Sequence, residues 1–162
     1  MPLDHPILDL TVPERTAGLH RTVARYCLTR RWAPLHEMPI PCARRLDVMA
    51  LTPEGCLFAI EIKSCARDFL SDAKWEEYLD WCDRLYFAVD LDFPQGLIPA
   101  EIGLLVSDGY DTVMVRDAPH RPLAAARRKS LLHRYAVLAA ERLAWMSDPE
   151  GMRELRAAAL VE

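Results

Sequence analysis

Asp47, Glu61 and Lys63 are the residues whose types and spacing could do chemistry. Glu61 and Lys63 stand two apart in the otherwise apolar run FAIEIKS, residues 58–64. Alternate side chains of a strand share a face, so this carboxylate and ammonium lie on one side while Phe58, Ile60 and Ile62 take the other. The preceding segment RRLDVMAL reads as a partner strand, joined through Thr52, Pro53, Glu54 and Gly55, whose residue types make a turn. Pairing Leu51 with Leu57 sets Asp47 directly opposite Glu61, with Cβ atoms about 4.5–5.5 Å apart on a half-buried face. Two carboxylates that close repel, and a hard divalent cation between them, Mg²⁺ or Mn²⁺, turns the repulsion into binding. Lys63, one step further on the same face, could orient a water, help lower its pKa, or neutralise charge growing on a phosphoryl oxygen. The plainer alternative is a surface ion pair of Glu61 with Lys63, with Asp47 capping a strand.

The chain has three lysines, and a second acid-x-Lys, Asp72 to Lys74, falls in a helical pattern. There a two-residue step turns about 200° and separates the side chains, so this copy reads as a decoy. Asp72, Glu76 and Asp80 recur at i, i+4 with Asp83 close to their line, an acidic helix face that suits solvent or a basic protein partner better than DNA. Arginines 15, 21, 25, 30, 31, 44 and 45 meet only Glu37 among residues 15–45. Residues 116–134 hold six basic side chains against Asp117 alone. Such segregation on a chain of net charge -4 fits a local phosphate-binding face on an acidic body. Arg127, Arg128 and Lys129 are consecutive on a helix and cannot all face a core; with Arg44 and Arg45 they form the expected rim that guides a nucleic-acid strand. The five cysteines are odd in number and lack a C-x-x-C pair, which points to reduced thiols. His5, His20, His36 and His120 show no metal-ligand spacing and read as ordinary histidines.

At 162 residues the chain is read as one domain, residues 1–162. No apolar run approaches the ~18 residues of a membrane span and the N-terminus is acidic, so a cytoplasmic protein is expected, with no membrane partner. A first helix, capped by Thr11 or Asp9, should run to about Arg31 with Leu19, Val23, Tyr26 and Cys27 on its apolar face. An edge strand around residues 35–40, interrupted by prolines, precedes the hairpin. A long helix in ARDFLSDAKWEEYLDWCDR, with Trp75, Leu79 and Cys82 inward, leads to strands at 85–91, IGLLVSD and DTVMVRD. An alanine-rich helix follows, and then a last turn or two of helix capped by Asp148. Helix, three strands, helix, strands, helix is an α/β arrangement on a mixed sheet, because the crossover helix returns the chain in parallel.

Asp47, then Glu61-Ile62-Lys63 on the next strand, after one helix and before another, resembles the PD-(D/E)XK nuclease superfamily, the restriction-endonuclease-like fold. Leu46 stands where that superfamily usually has Pro. More narrowly, RRLDVMAL, IEIKSCARDFLSDAKWEEYLDWCDRLYFAV, GLI and AARRKSLLHR together look like the MmcB-like DNA-repair family, over approximately residues 17–143. The resemblance implies an α-β-β-β-α-β core with an extra C-terminal helix and a nuclease-type site for Mg²⁺ or Mn²⁺ used in DNA repair. By it, the Ile62 carbonyl joins Asp47 and Glu61 on the metal, and Lys63 acts on the water. Some branches add a glutamate from the first helix, for which Glu14 or Glu37 is available. Others add a Gln-x-x-x-Tyr pair, here Lys74 and Tyr78 with Lys for Gln, on one face of the second helix. Three readings stay open: a deoxyribonuclease acting on DNA, alone or as a homodimer; a non-cleaving protein that binds a DNA structure or a repair partner; and an α/β domain of unrelated purpose with a structural ion pair.

Overall fold

Thr11 starts the first helix, α1 (Val12–Thr29), in a computed structural model that describes residues 11–72 and 74–159. The Thr11 backbone N–H and hydroxyl both donate to the Glu14 carboxylate, at 2.8 and 2.7 Å, and Pro13 occupies the opening turn. The alternative cap, Asp9, lies outside the described residues. Leu19, Val23, Tyr26 and Cys27 are buried as their spacing predicts. The helix stops two residues short of Arg31, which adopts a φ of 59°.

Six strands follow: β1 (Ala33–Ile40), β2 (Arg44–Leu51), β3 (Leu57–Lys63), β4 (Arg84–Asp90), β5 (Gly103–Ser107) and β6 (Thr112–Arg116). They form one sheet in sequence order. The β1–β2, β2–β3 and β5–β6 pairs are antiparallel, while β3–β4 and β4–β5 are parallel. Leu51 pairs with Leu57, the register expected of the hairpin, across a turn in which Gly55 takes a φ of 81°. The result is the expected α/β class, a mixed sheet flanked by helices and consistent with a restriction-endonuclease-like fold. Phe58, Ile60 and Ile62 of β3 pack with Leu19, Val23 and Tyr26 of α1. On the other face, Phe87 of β4 meets Phe69 of α2 (Ala66–Ser71) edge to face at 5.2 Å between ring centroids. Covered on both faces, β3 is buried along its whole length and is not half-exposed as its charges suggest.

The long second helix is not formed. The chain leaves α2 after Ser71 and resumes as a 3-10 helix over Trp75–Trp81. Asp72 explains the break: its carboxylate accepts the Lys74 backbone N–H at 3.2 Å and the Lys63 ammonium at 2.6 Å, fixing a turn that faces β3. With three residues per turn, Tyr78 takes the buried place expected of Leu79. The acidic stripe is interrupted with the helix, which removes the face on which a basic protein partner was expected. Asp83, placed near that stripe by sequence, is fully buried: it accepts the backbone N–H groups of Leu57 and Leu123 at 2.7 and 2.9 Å.

The chain divides into two compact units, Met1–Ala124 and Ala125–Glu162. The second contains α3 (Ala125–Ser147) and α4 (Pro149–Ala159), two helices where one and a short extension were expected. Asp148 caps α4 through the Gly151 N–H at 3.0 Å. Among the described residues, no helix is long and apolar enough to cross a membrane.

Candidate metal site

The β2–β3 ladder runs from Leu51 and Leu57 to Val48 and Ile60. At the next position side chains replace it. The Asp47 N–H donates to Glu61 Oε1 at 3.1 Å, and the Ile62 N–H donates to Asp47 Oδ2 at 2.8 Å. Each carboxylate is thereby anchored through one oxygen to the opposite strand. Glu61 is only 3% exposed, and burial together with the Asp47 charge pushes its carboxyl up to about 8. Burial also raises Asp47, against the opposing effect of the Ile62 N–H. Two buried, mutually repelling carboxylates are a hard oxygen donor set short of positive charge, which fits Mg²⁺ or Mn²⁺.

Lys63 lies on the same face, its ammonium on Asp72 Oδ2 at 2.6 Å. Burial works against the Asp72 carboxylate, but the bond from Lys63 prevails and holds its pKa below the usual value. The supposed decoy is therefore part of the site, because the helix that would have turned Asp72 away does not form. Tyr78 is buried, and its phenol is raised by burial and then by the charges of Glu61, Asp72 and Asp47, which places it in their field. Lys74 does not share a helix face with Tyr78 as expected: it precedes the 3-10 helix and is exposed.

Glu37 of β1 stands opposite Asp47 in the β1–β2 register, at the position the ladder omits, with a φ of 53°. Glu37, Asp47 and Glu61 thus occupy one level of three adjacent strands. His20 of α1 completes a group in which one ligand atom each from His20, Glu37 and Asp47 lie within 4.8 Å of one another. Of the two glutamates considered from sequence, Glu37 joins Asp47, while Glu14 is engaged in capping α1. Sequence reasoning misses His20, since nothing local to residue 20 signals a partner 27 positions later.

The basic residues are divided. Arg44 makes a two-pronged pair with Glu77 at 3.1 and 3.0 Å, and Arg45 Nε meets Glu37 Oε2 at 2.5 Å. Arg127, Arg128 and Lys129 sit in the first turn of α3, Lys129 exposed and the two arginines partly buried.

Among solved structures the chain is similar to SPO1766, a protein of unknown function from Silicibacter pomeroyi. The two are 46% identical over 88% of this chain and 96% of that one, with a TM-score of 0.79. No curated protein matches. The model of the family "DNA repair protein MmcB-like" matches residues 3–150, taking in both the carboxylate hairpin and the start of α3. The chain therefore belongs to the MmcB-like DNA repair protein family.

Proposed function

We propose that this protein is a metal-dependent deoxyribonuclease of DNA repair, built on the PD-(D/E)XK plan. The observation that carries the reading is the Asp47–Glu61 pair, each carboxylate held by the opposite strand's N–H, with Lys63 one step along the same face. Asp47 and Glu61, with the Ile62 carbonyl, would hold the ion. When bound, Mg²⁺ or Mn²⁺ supplies Lewis-acid charge at the scissile phosphate and lowers the pKa of a coordinated water. Lys63 would orient the attacking water and neutralise charge on a phosphoryl oxygen; Asp72 positions its ammonium, and the buried Tyr78 lies in the field of these carboxylates. Arg44, Arg45 and Lys74 are the phosphate contacts of the first unit, and Arg127, Arg128 and Lys129 are separate candidates for phosphate contact in the second.

The test compares wild type with Asp47→Ala on single-stranded, duplex and branched DNA, in Mn²⁺ and in EDTA. Cleavage by wild type in Mn²⁺, falling about 10²–10³-fold or more in the variant and abolished by EDTA, is the expected result. One observation favours a second reading, a non-cleaving DNA-structure-binding protein: Lys63, Arg44 and Arg45 each already pair with a carboxylate. Binding without cleavage in every condition would select it.

A further inference from the structure

We infer that the outer groove of α1 holds one unpaired strand of DNA by its phosphates and leads it to Asp47. The inference rests on the proposed DNA reading and names the surface along which the strand runs.

Ala17, His20, Arg21, Ala24 and Arg25 recur at i, i+3, i+4, i+7 and i+8, one stripe of α1 turned away from the buried stripe of Leu19, Val23, Tyr26 and Cys27. With His36 and Glu37 of β1 they line a groove of about 620 Å³. Charge sets this surface apart from its surroundings. Arg15 pairs with Asp90, Arg44 with Glu77 and Arg45 with Glu37, so each of those guanidinium groups is already neutralised. Arg21 and Arg25 are exposed and have no carboxylate partner among the described residues. Arg25 donates to the Tyr110 carbonyl at 2.9 Å, a contact that steadies the guanidinium without cancelling its charge. Arg21 also borders a cavity with Glu14 and Asp90, but those carboxylates are engaged by Thr11 and Arg15. Residues at i, i+4 have Cβ atoms about 5–6 Å apart, close to the separation of neighbouring phosphates on one strand. The groove ends at the candidate site, since one ligand atom each from His20, Glu37 and Asp47 lie within 4.8 Å of one another. Its two walls are unequal. The unneutralised cations stand on α1, while on the β1 side Glu37 takes up Arg45 and His36 turns to His20, Nδ1 to Nδ1 at 3.3 Å. A single row of cations grips one backbone and offers nothing to a second, which suits an unpaired strand better than a duplex.

Fluorescence-anisotropy titrations of the full chain in EDTA, with labelled oligothymidine and with a labelled duplex of equal length, test the inference. Wild type should bind the single strand more tightly. Arg21→Ala combined with Arg25→Ala should lower the slope of log affinity against log salt for that strand by about 0.7 for each phosphate no longer neutralised. Arg21→Lys with Arg25→Lys should keep the slope, and Ala17→Glu, which removes no cation, should weaken binding by itself. An unchanged slope in the double alanine variant, or a wild type that prefers duplex, overturns the inference; the wild-type preference decides even if a variant fails to fold. Polyglutamate that displaces the labelled strand as well as unlabelled oligothymidine does would make this a groove for an acidic protein and overturn it too. Strand binding that depends on Arg21 and Arg25 in a protein that never cleaves DNA would sink the nuclease reading and leave the groove standing. Mn²⁺-dependent cleavage at the wild-type rate by the double alanine variant, with its strand binding intact, would do the reverse.

Discussion

Glu61 is the residue at which the site's electrostatics can be measured. Its folded carboxyl is raised to about 8 from an ordinary value of 4.5, burial first and the Asp47 charge second. Between those limits the folded chain holds a proton that the unfolded chain has released. Stability of metal-free protein therefore falls as pH rises from about 5 to 8, by up to ~1.4 kcal/mol per unit from this group. Urea melts in EDTA should show that slope in wild type and lose it in Glu61→Gln. A wild-type minus variant difference that stays flat with pH would show that Glu61 is already ionised. The same proton competes with a divalent ion, so apparent metal affinity should climb roughly tenfold per pH unit below 8.

At the scale of elements, β4 and β5 fit closely at Gly103. Gly103 pairs with Tyr86, and a Cβ at Gly103 would run into the Tyr86 ring and the Ala118 methyl. Tyr86 cannot yield easily, since its hydroxyl donates to Asp117 and its ring packs on Phe58 at 5.8 Å between centroids. Gly103→Ala should destabilise by about 1–3 kcal/mol in a denaturant melt, whereas a Cβ added at Gly18 of α1 meets nothing within 4 Å. What the sequence discloses follows the range of the forces. The hairpin register is legible because Leu51, Leu57 and the turn between them are local, and α1 because its apolar period is local. The break after Ser71 is not, since it depends on an ion pair between Asp72 and Lys63 that no helical pattern encodes. For the same reason the helical pattern sets Asp72 aside, and His20, delivered by a separate helix, is invisible beside Asp47. Asp83 shows the opposite error: a carboxylate assigned to a solvated face is a buried staple for two backbone N–H groups.

For the molecule as a whole, a net charge of -4 makes any grip on nucleic acid depend on where the cations cluster. The first turn of α3 concentrates three of them, in the unit Ala125–Glu162. Replacing Arg127, Arg128 and Lys129 with alanine should lower the slope of log affinity against log salt for duplex DNA by about 0.9 for each phosphate that is no longer neutralised. An unchanged slope would take α3 out of the interface. At one margin of the sheet, β1 has only β2 for a neighbour, carries Pro34 and Pro39, and lacks a ladder pair at Glu37. Proline has no N–H to offer an incoming strand, so this margin resists edge-to-edge aggregation. The border with the fewest N–H groups to offer another strand is thus the one that carries Glu37 level with Asp47.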